Sequence, residues 1–199
     1  IDNTANEVIA KEYARYLNNS IGIVTCNKIA AADELSNYKN LKKISRKYGS
    51  PFLFETNVGA GLPIIDTLNN LIASGDQIIK IQAVLSGSLN FVFNNFKKGS
   101  SFHDVVLEAQ KEGYTEPDPK IDLSGIDVAR KILILARESG LSIELDEIQN
   151  ESFLPQECLD TKNNEEFFES LKKYSGHFDK LVEDADKNNA KLKYVAQLE

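Results

Sequence analysis

The sequence is 199 residues long, carries 23 Lys and Arg against 30 Asp and Glu for a formal charge of −7, and is 42% hydrophobic. That length buries a full core and accommodates one domain, or one domain with part of another. Basic residues are interspersed rather than gathered into a stripe with aromatics, which argues against a nucleic-acid partner, and no apolar run nears the roughly 18 residues of a membrane span. Cys26 and Cys158 lie far apart without a CxxC, so neither a disulfide framework nor a zinc site is expected and a reducing cytoplasm is the default. The charged stretch from Glu7 to Arg15 leaves no room for the apolar segment of a signal peptide. The chain opens at Ile1 and contains no Met, and it reads as a piece of a longer protein.

In chain order, Val8, Ile9, Tyr13, Tyr16 and Leu17 fall near helical spacing, so a helix is expected over Ala5–Leu17 with Thr4 or Asn6 as its cap. A short buried strand follows at Ile21–Cys26, then a helix over Asp33–Tyr48 ended by Gly49, a strand at Pro51–Phe54 and a helix over Ile64–Ala73. Asp76–Leu85 alternates as a longer strand, with Ile79, Ile81, Ala83 and Leu85 on one face. Helices are expected from Ser86 through Phe96, from Ser100 or Ser101 to Gly113, and over Ser124–Ser139. Leu141–Leu145 reads as a strand, 155–164 as a loop, 165–188 as a charged helical region, and 191–198 as a final strand. Strands and helices mixed in this order indicate an α+β fold: a mixed sheet with helices packed on one face, preceded by a partial Rossmann-type β/α segment.

Several stretches carry polar chemistry, each with an ordinary alternative. The Gly59-Ala-Gly61 turn precedes a helix, but the third glycine of a dinucleotide fingerprint would fall at Ile64, so the motif is incomplete. It is either a tight turn or a bent backbone aiming carbonyls at a hard cation beside Glu55. Lys28 follows a strand where open α/β sheets place ligands, or is a solvated loop lysine. In Gly113–Lys131, Pro117 and Pro119 are expected to keep Glu116 to Lys120 out of helix, while Asp122 or Ser124 caps the helix that follows. Asp127 and Lys131 are four apart and share a face, and Arg130, Arg137 and Glu138 fall on the same arc; an amphipathic helix with a solvated charged face accounts for this spacing too. Nothing in the spacing of Cys26, His103 and His177 supports nucleophilic catalysis.

Taken together, Thr25-Cys-Asn-Lys28, Glu55-Thr-Asn-Val-Gly-Ala-Gly-Leu-Pro63, Leu85-Ser-Gly-Ser-Leu89 and Gly113–Lys131 resemble the ordered motifs of homoserine dehydrogenases. The tail residues Phe153-Leu-Pro155 and Leu192-Lys-Tyr-Val195 are most similar to the dehydrogenase half of bifunctional aspartokinase–homoserine dehydrogenases. The resemblance implies reduction of aspartate semialdehyde to homoserine with NADP or NAD as cofactor, on the route to threonine, isoleucine and methionine. It implies that Lys131 is the proton donor, that Lys28 holds substrate and cofactor in register, and that Glu116 and Asp127 bind the substrate with Asp122 in support. It further implies Thr4 at the nicotinamide side, a monovalent cation such as Na+ held by Glu55 and the carbonyls of Val58, Ala60 and Leu62, and a homodimer. An ammonium near the aldehyde oxygen stabilises developing charge and supplies the proton, which suits lysine in the reductive direction and favours alkaline pH for homoserine oxidation.

The expected organisation is a remnant of a nucleotide-binding domain over 1–50, a catalytic and dimerisation domain over 51–150, and a truncated C-terminal part of it over 151–199. The family's glycine-rich cofactor loop has no counterpart in the sequence, so weak dinucleotide binding and little turnover are expected of the piece alone. The competing reading is a non-catalytic dimerisation domain of a larger enzyme. A thiol-dependent semialdehyde dehydrogenase would need Cys26 beside a histidine.

Overall fold

The computed structural model describes residues 1–199, which divide into two compact units. The first comprises Ile1–Ile81, Ala129–Gln149 and Gln197–Glu199; the second comprises Gln82–Val128 and Asn150–Ala196.

In the first unit the expected opening helix is two pieces, α1 (Glu7–Lys11) and α2 (Tyr13–Asn18), with Asn6 capping α1 by accepting from the Val8 and Ile9 N–H groups. The joint is Glu12, whose N–H turns to Ile9 O in a tight 3₁₀-type bond. Then come β1 (Ile23–Val24), α3 (Leu35–Tyr48), β2 (Phe52–Leu53) and α4 (Ile64–Ala73). α3 buries Tyr38, Leu41 and Ile44, three residues apart, and stops at Gly49, whose φ of 62° suits glycine. β1 and β2 are parallel, with Ile23 opposite Phe52, and α3 forms the crossover between them. Asp2 adds a parallel bridge to Thr25 on the other side of β1. Tyr13 packs edge-on against Phe52 at 5.9 Å, and Leu17, Leu41 and Val58 are fully buried.

β3 (Ile81–Ala83) leads into α5 (Gly87–Asn95), α6 (Phe102–Lys111) and α7 (Pro119–Leu123). Serines cap two of these: Ser86 accepts from Leu89 N–H and Ser101 from Asp104 N–H. α8 (Ile126–Glu138) begins in the second unit and contributes most of its length to the first. The second unit then holds α9 (Gln156–Leu159), α10 (Asn164–Lys173) and α11 (Ser175–Lys187), before β4 (Ala196–Leu198). An aromatic cluster forms its core. Phe102 stacks on Phe178 at 4.0 Å and meets Phe96 and Phe153 edge-on at 5.0 and 6.1 Å.

The α+β class holds, but the strands are shorter than expected. Of Asp76–Leu85 only Ile81–Ala83 is strand, Leu141–Leu145 is none, and 191–198 contracts to Ala196–Leu198. The result is two two-stranded sheets, β1–β2 and β3–β4, in place of one mixed sheet. Alternation selects which face is apolar, yet a strand also needs a partner for its N–H and C=O groups. Ile79, assigned to the apolar face, is 86% exposed. The 165–188 region is two helices, and the loop expected over 155–164 contains α9. No helix is long and apolar enough to cross a membrane.

Candidate active site

In the first unit the three parallel segments end on a common edge. Past Asp2 comes Thr4; past β1 come Thr25, Asn27 and Lys28; past β2 come Glu55 and Asn57. A buried polar network fixes this edge. Thr25 Oγ1 donates to Asp2 O at 3.0 Å and accepts from Asn27 N–H at 2.9 Å. The Asn27 amide donates to Asp2 Oδ2 and to Asn6 O, each at 3.1 Å, while its oxygen accepts from Ile29 N–H at 3.0 Å. Lys28 is therefore flanked by a residue held on three sides. Thr4 is drawn to the same carboxylate, its hydroxyl and N–H donating to Asp2 Oδ1 at 2.7 and 2.8 Å. Burial alone would raise the Asp2 carboxyl, but donation from Tyr13, Thr4 and Asn27 outweighs it and holds Asp2 down at about 2. The Tyr13 hydroxyl, buried and donating to this anion, is pushed up.

Asn57 is fully buried, and its hydrogen-bond pattern assigns the amide nitrogen to the side facing Cys26 O at 3.0 Å. It ties the Glu55 loop to the end of β1. Glu55 itself accepts from Ile65 N–H and Asp66 N–H at 2.8 Å each, one through either oxygen, and so caps α4. Gly59 and Ala60 both take left-handed φ, 82° and 53°, and a Cβ on Gly59 would fall 2.5 Å from Ile64 Cγ1. The sharp turn is thus reserved for glycine at Gly59. Each Glu55 oxygen keeps a lone pair beyond its N–H partner. No cluster of three His, Cys, Asp or Glu side chains suited to a metal ion is present.

In the second unit the acidic loop is built around Asp122. Its Oδ2 accepts from the Glu116 N–H at 2.8 Å and its Oδ1 from the Ser88 hydroxyl at 2.7 Å; Ser88 in turn meets Ser86 Oγ at 3.1 Å. The expectation that Asp122 or Ser124 caps the following helix is corrected for Asp122, which turns back to the loop instead. Asp118 caps α7, and Pro119 occupies its first turn, where a missing N–H costs nothing. The expectation that Pro119 and Lys120 stay out of helix is corrected accordingly. Pro117 O receives Gln110 Nε2 at 3.0 Å and Asn164 Nδ2 at 2.7 Å, and Lys120 Nζ reaches Thr161 O. The Glu116 side chain stands exposed on this fixed loop. Asp127 and Lys131 occupy successive turns of α8, both half-buried.

The solvated charged face does not extend along α8: Arg137 and Glu138 are 4% and 7% exposed, both in the first unit. Glu138 accepts from Tyr38 Oη, from Lys42 Nζ at 2.9 Å and from Asn69 Nδ2 at 3.0 Å. Burial pulls the Arg137 guanidinium down from its usual range, with Glu144 acting against the shift. The thiol alternative finds no support, since His103 pairs with Asp104 at 2.7 Å and His177 with Phe153 O at 2.8 Å. Ser88, Asp2, Asn57 and Arg137 went unassigned from sequence. For Ser88 the signal was its place in the quoted Ser-Gly-Ser motif; for Arg137 it was the unbroken apolar run ahead of it.

The sequence profile of the homoserine dehydrogenase family matches residues 63–199. The chain belongs to the homoserine dehydrogenase family. It is 44% identical, over 98% of its length and 21% of the relative's, to bifunctional aspartokinase/homoserine dehydrogenase 2, chloroplastic, of Arabidopsis thaliana. It is 42% identical to the homoserine dehydrogenase of Schizosaccharomyces pombe, over 99% of this chain and 54% of that one. Among solved structures, a Candida auris protein described as of unknown function superposes with a TM-score of 0.94 at 39% identity, covering 100% of this chain and 57% of that one. A hyperthermophilic archaeal homoserine dehydrogenase in complex with NADPH superposes with a TM-score of 0.64 at 28% identity, over 74% and 47%. The chain thus spans between about a fifth and little more than half of the length of these homoserine dehydrogenase relatives.

Proposed function

We propose that the chain is the catalytic region of an enzyme that reduces aspartate semialdehyde to homoserine with NADPH or NADH. The observation that carries the reading is the shared carboxyl edge of the three parallel segments, where Thr4, Lys28 and Glu55 follow one another. Open α/β sheets bind ligands outside the carboxyl ends of their strands. The βαβ crossover of β1, α3 and β2 is, on this reading, part of a Rossmann-type nucleotide domain over 1–50, with catalysis and dimerisation over 51–150 and its continuation over 151–199.

Thr4 and Lys28 would hold the nicotinamide cofactor, which when bound supplies the hydride. Lys131 would donate the proton at the aldehyde oxygen, its ammonium offsetting charge as it develops there. Lys28 would keep substrate and cofactor in register. Glu116 and Asp127 would take the substrate's ammonium and hydroxyl end, with Asp122 fixing the Glu116 loop; an analogue without the amine would leave these carboxylates unpaired. Glu55 with the carbonyls of Val58, Ala60 and Leu62 would hold a monovalent cation beside this edge. A homodimer would cover exposed apolar residues such as Ile79 and Val84. An aspartokinase domain in the same polypeptide and a reducing compartment complete the reading, on the model of the bifunctional relatives.

The test is Lys131→Ala in the intact enzyme. Turnover of aspartate semialdehyde should fall about 10²–10⁴-fold with the unfolding midpoint little changed. Unchanged turnover would leave a non-catalytic dimerisation role in its place.

A further inference from the structure

Arg137 is almost completely buried yet makes no contact that the proposed chemistry uses. Its guanidinium spends its donors on backbone. Nη1 donates to Ala31 O at 3.1 Å and to Asp33 O at 2.6 Å; Nε and Nη2 both donate to Ile143 O, at 3.2 and 3.1 Å; Nη2 also meets Glu144 Oε2 at 2.8 Å. Glu144 completes the clamp by accepting the Leu35 N–H at 2.8 and 3.0 Å, so the segment from Ala31 to Leu35 is gripped on its carbonyls by Arg137 and on an amide by Glu144. That segment is the continuation of the Lys28 turn, closed by the Ala32 N–H donating to Lys28 O at 2.9 Å, with Ala30 and Ala31 buried. At its other end Arg137 is rooted in α8, six residues and roughly 9 Å of helix rise beyond Lys131. Lys28, Lys131, Arg137 and Glu144 all belong to the first unit.

We infer that Arg137 is a positioning residue, which fixes the Lys28 turn to the helix that carries Lys131. The inference rests on the proposed roles of those two lysines. The planar fork reaches three backbone carbonyls at once, on the Ala31–Asp33 segment and at Ile143. Lysine in its place keeps the charge and loses the fork. The Ala31–Asp33 end of the Lys28 turn would then lose its grip on α8, keeping Glu144 at Leu35 and the Asn27 bonds ahead of Lys28, and a displacement near 1 Å in a group that orients reactants is worth about 10²-fold in rate.

The experiment is a double-variant cycle in the intact enzyme, measuring kcat and KM for aspartate semialdehyde in wild type, Arg137→Lys, Lys28→Ala and the pair, with Tyr38→Phe as a control. Tyr38→Phe removes the hydrogen bond to Glu138 in the same buried region without touching Ala31 or Asp33, and should lower thermal stability while leaving kcat within about twofold. Arg137→Lys should lower kcat by ten- to a hundredfold, and the double variant should be no slower than Lys28→Ala, because the two act through one group. Should Arg137→Lys fail to fold, Glu144→Gln takes its place in the cycle with a smaller loss and the same non-additivity. Full kcat in folded Arg137→Lys, or a loss that multiplies with that of Lys28→Ala, overturns the inference. A Lys28→Ala enzyme with wild-type turnover overturns instead the reading of the site on which it rests.

Discussion

The carboxylate of Asp122 holds the backbone of Glu116: one oxygen accepts the Glu116 N–H at 2.8 Å while the other is kept in place by the Ser88 hydroxyl at 2.7 Å. The exposed Glu116 side chain therefore stands on a loop whose conformation is set by a group six residues further along. Asp122→Asn keeps the size but removes the charge: with the amide oxygen on the Glu116 N–H, the amide nitrogen faces Ser88, whose hydroxyl must turn from donor to acceptor, and both charge-assisted bonds are lost. Hydrogen bonds to a charged group contribute about 1.5–3 kcal/mol. If Glu116 takes the substrate's ammonium as proposed, the expected result in the intact enzyme is a ten- to hundredfold loss of kcat/KM for aspartate semialdehyde, with Ser88→Ala moving the same way by less. An unaltered kcat/KM in Asp122→Asn would show that the Glu116 loop keeps its place without it.

Glu55 receives two N–H groups from the first turn of α4, which would otherwise lack acceptors. Glu55→Gln leaves one carbonyl oxygen for two donors and removes the charge from the helix N-terminus. A loss of about 1 kcal/mol is expected in urea unfolding. If the same carboxylate anchors a monovalent cation, sodium chloride should raise the unfolding midpoint of the wild type more than choline chloride does, and Glu55→Gln should abolish the difference. Equal effects of the two salts on the wild type would count against the cation.

How far the sequence reached follows from which interactions are local. The helix starts at Ser86 and at Ser100 or Ser101, a cap at Thr4 or Asn6, the glycine stop at Gly49 and the β1–α3–β2 order depend on neighbours in the chain and were legible; the structure chooses Asn6 and Ser101 among the alternatives. The strand expected over Asp76–Leu85 failed because alternation specifies a face and not a partner. α8 misled for a related reason. Arg137 and Glu138 fall on a charged arc of the helical wheel, but their partners Ala31, Asp33, Tyr38 and Lys42 lie about a hundred residues away, so burial at that end could not be read from period 3.6. Resemblance alone suggests Asp122 for the site; its two hydrogen bonds give it the structural task of holding the Glu116 loop.

Asp2 supplies a pH test of the polar edge. Its carboxyl is held at about 2 against an ordinary 3.8, so the folded state binds the proton less readily than the unfolded state. The stabilisation is complete above the unfolded value and is lost as pH falls from there through about 2. Wild type should exceed Asp2→Asn in unfolding free energy at about pH 6, and the gap should shrink steadily on acidification to about pH 2. A gap of constant size over that interval would mean that the ionised carboxylate contributes nothing beyond its shape.

Gly125 joins α7 to α8 with φ of 77°, and a Cβ there would fall 2.1 Å from Tyr194 Oη and 2.7 Å from Asn150 Oδ1. The joint is packed because the Tyr194 hydroxyl donates to the Asn150 oxygen, and the Asn150 amide donates to Ser124 O at 2.9 Å. Gly125→Ala combines an unfavourable backbone conformation with a steric overlap, and a loss above about 2 kcal/mol is expected. Gly140→Ala isolates the first contribution, since its φ is 95° and nothing lies within 4 Å of the added Cβ; about 1 kcal/mol is expected there. Tyr194→Phe removes the nearest clashing atom. Placed on Gly125→Ala it should recover part of the loss, although on wild type it costs a hydrogen bond. Chemical denaturation of the four variants checks the ordering, and a Gly125→Ala protein no less stable than Gly140→Ala would show that the Tyr194 ring yields without cost.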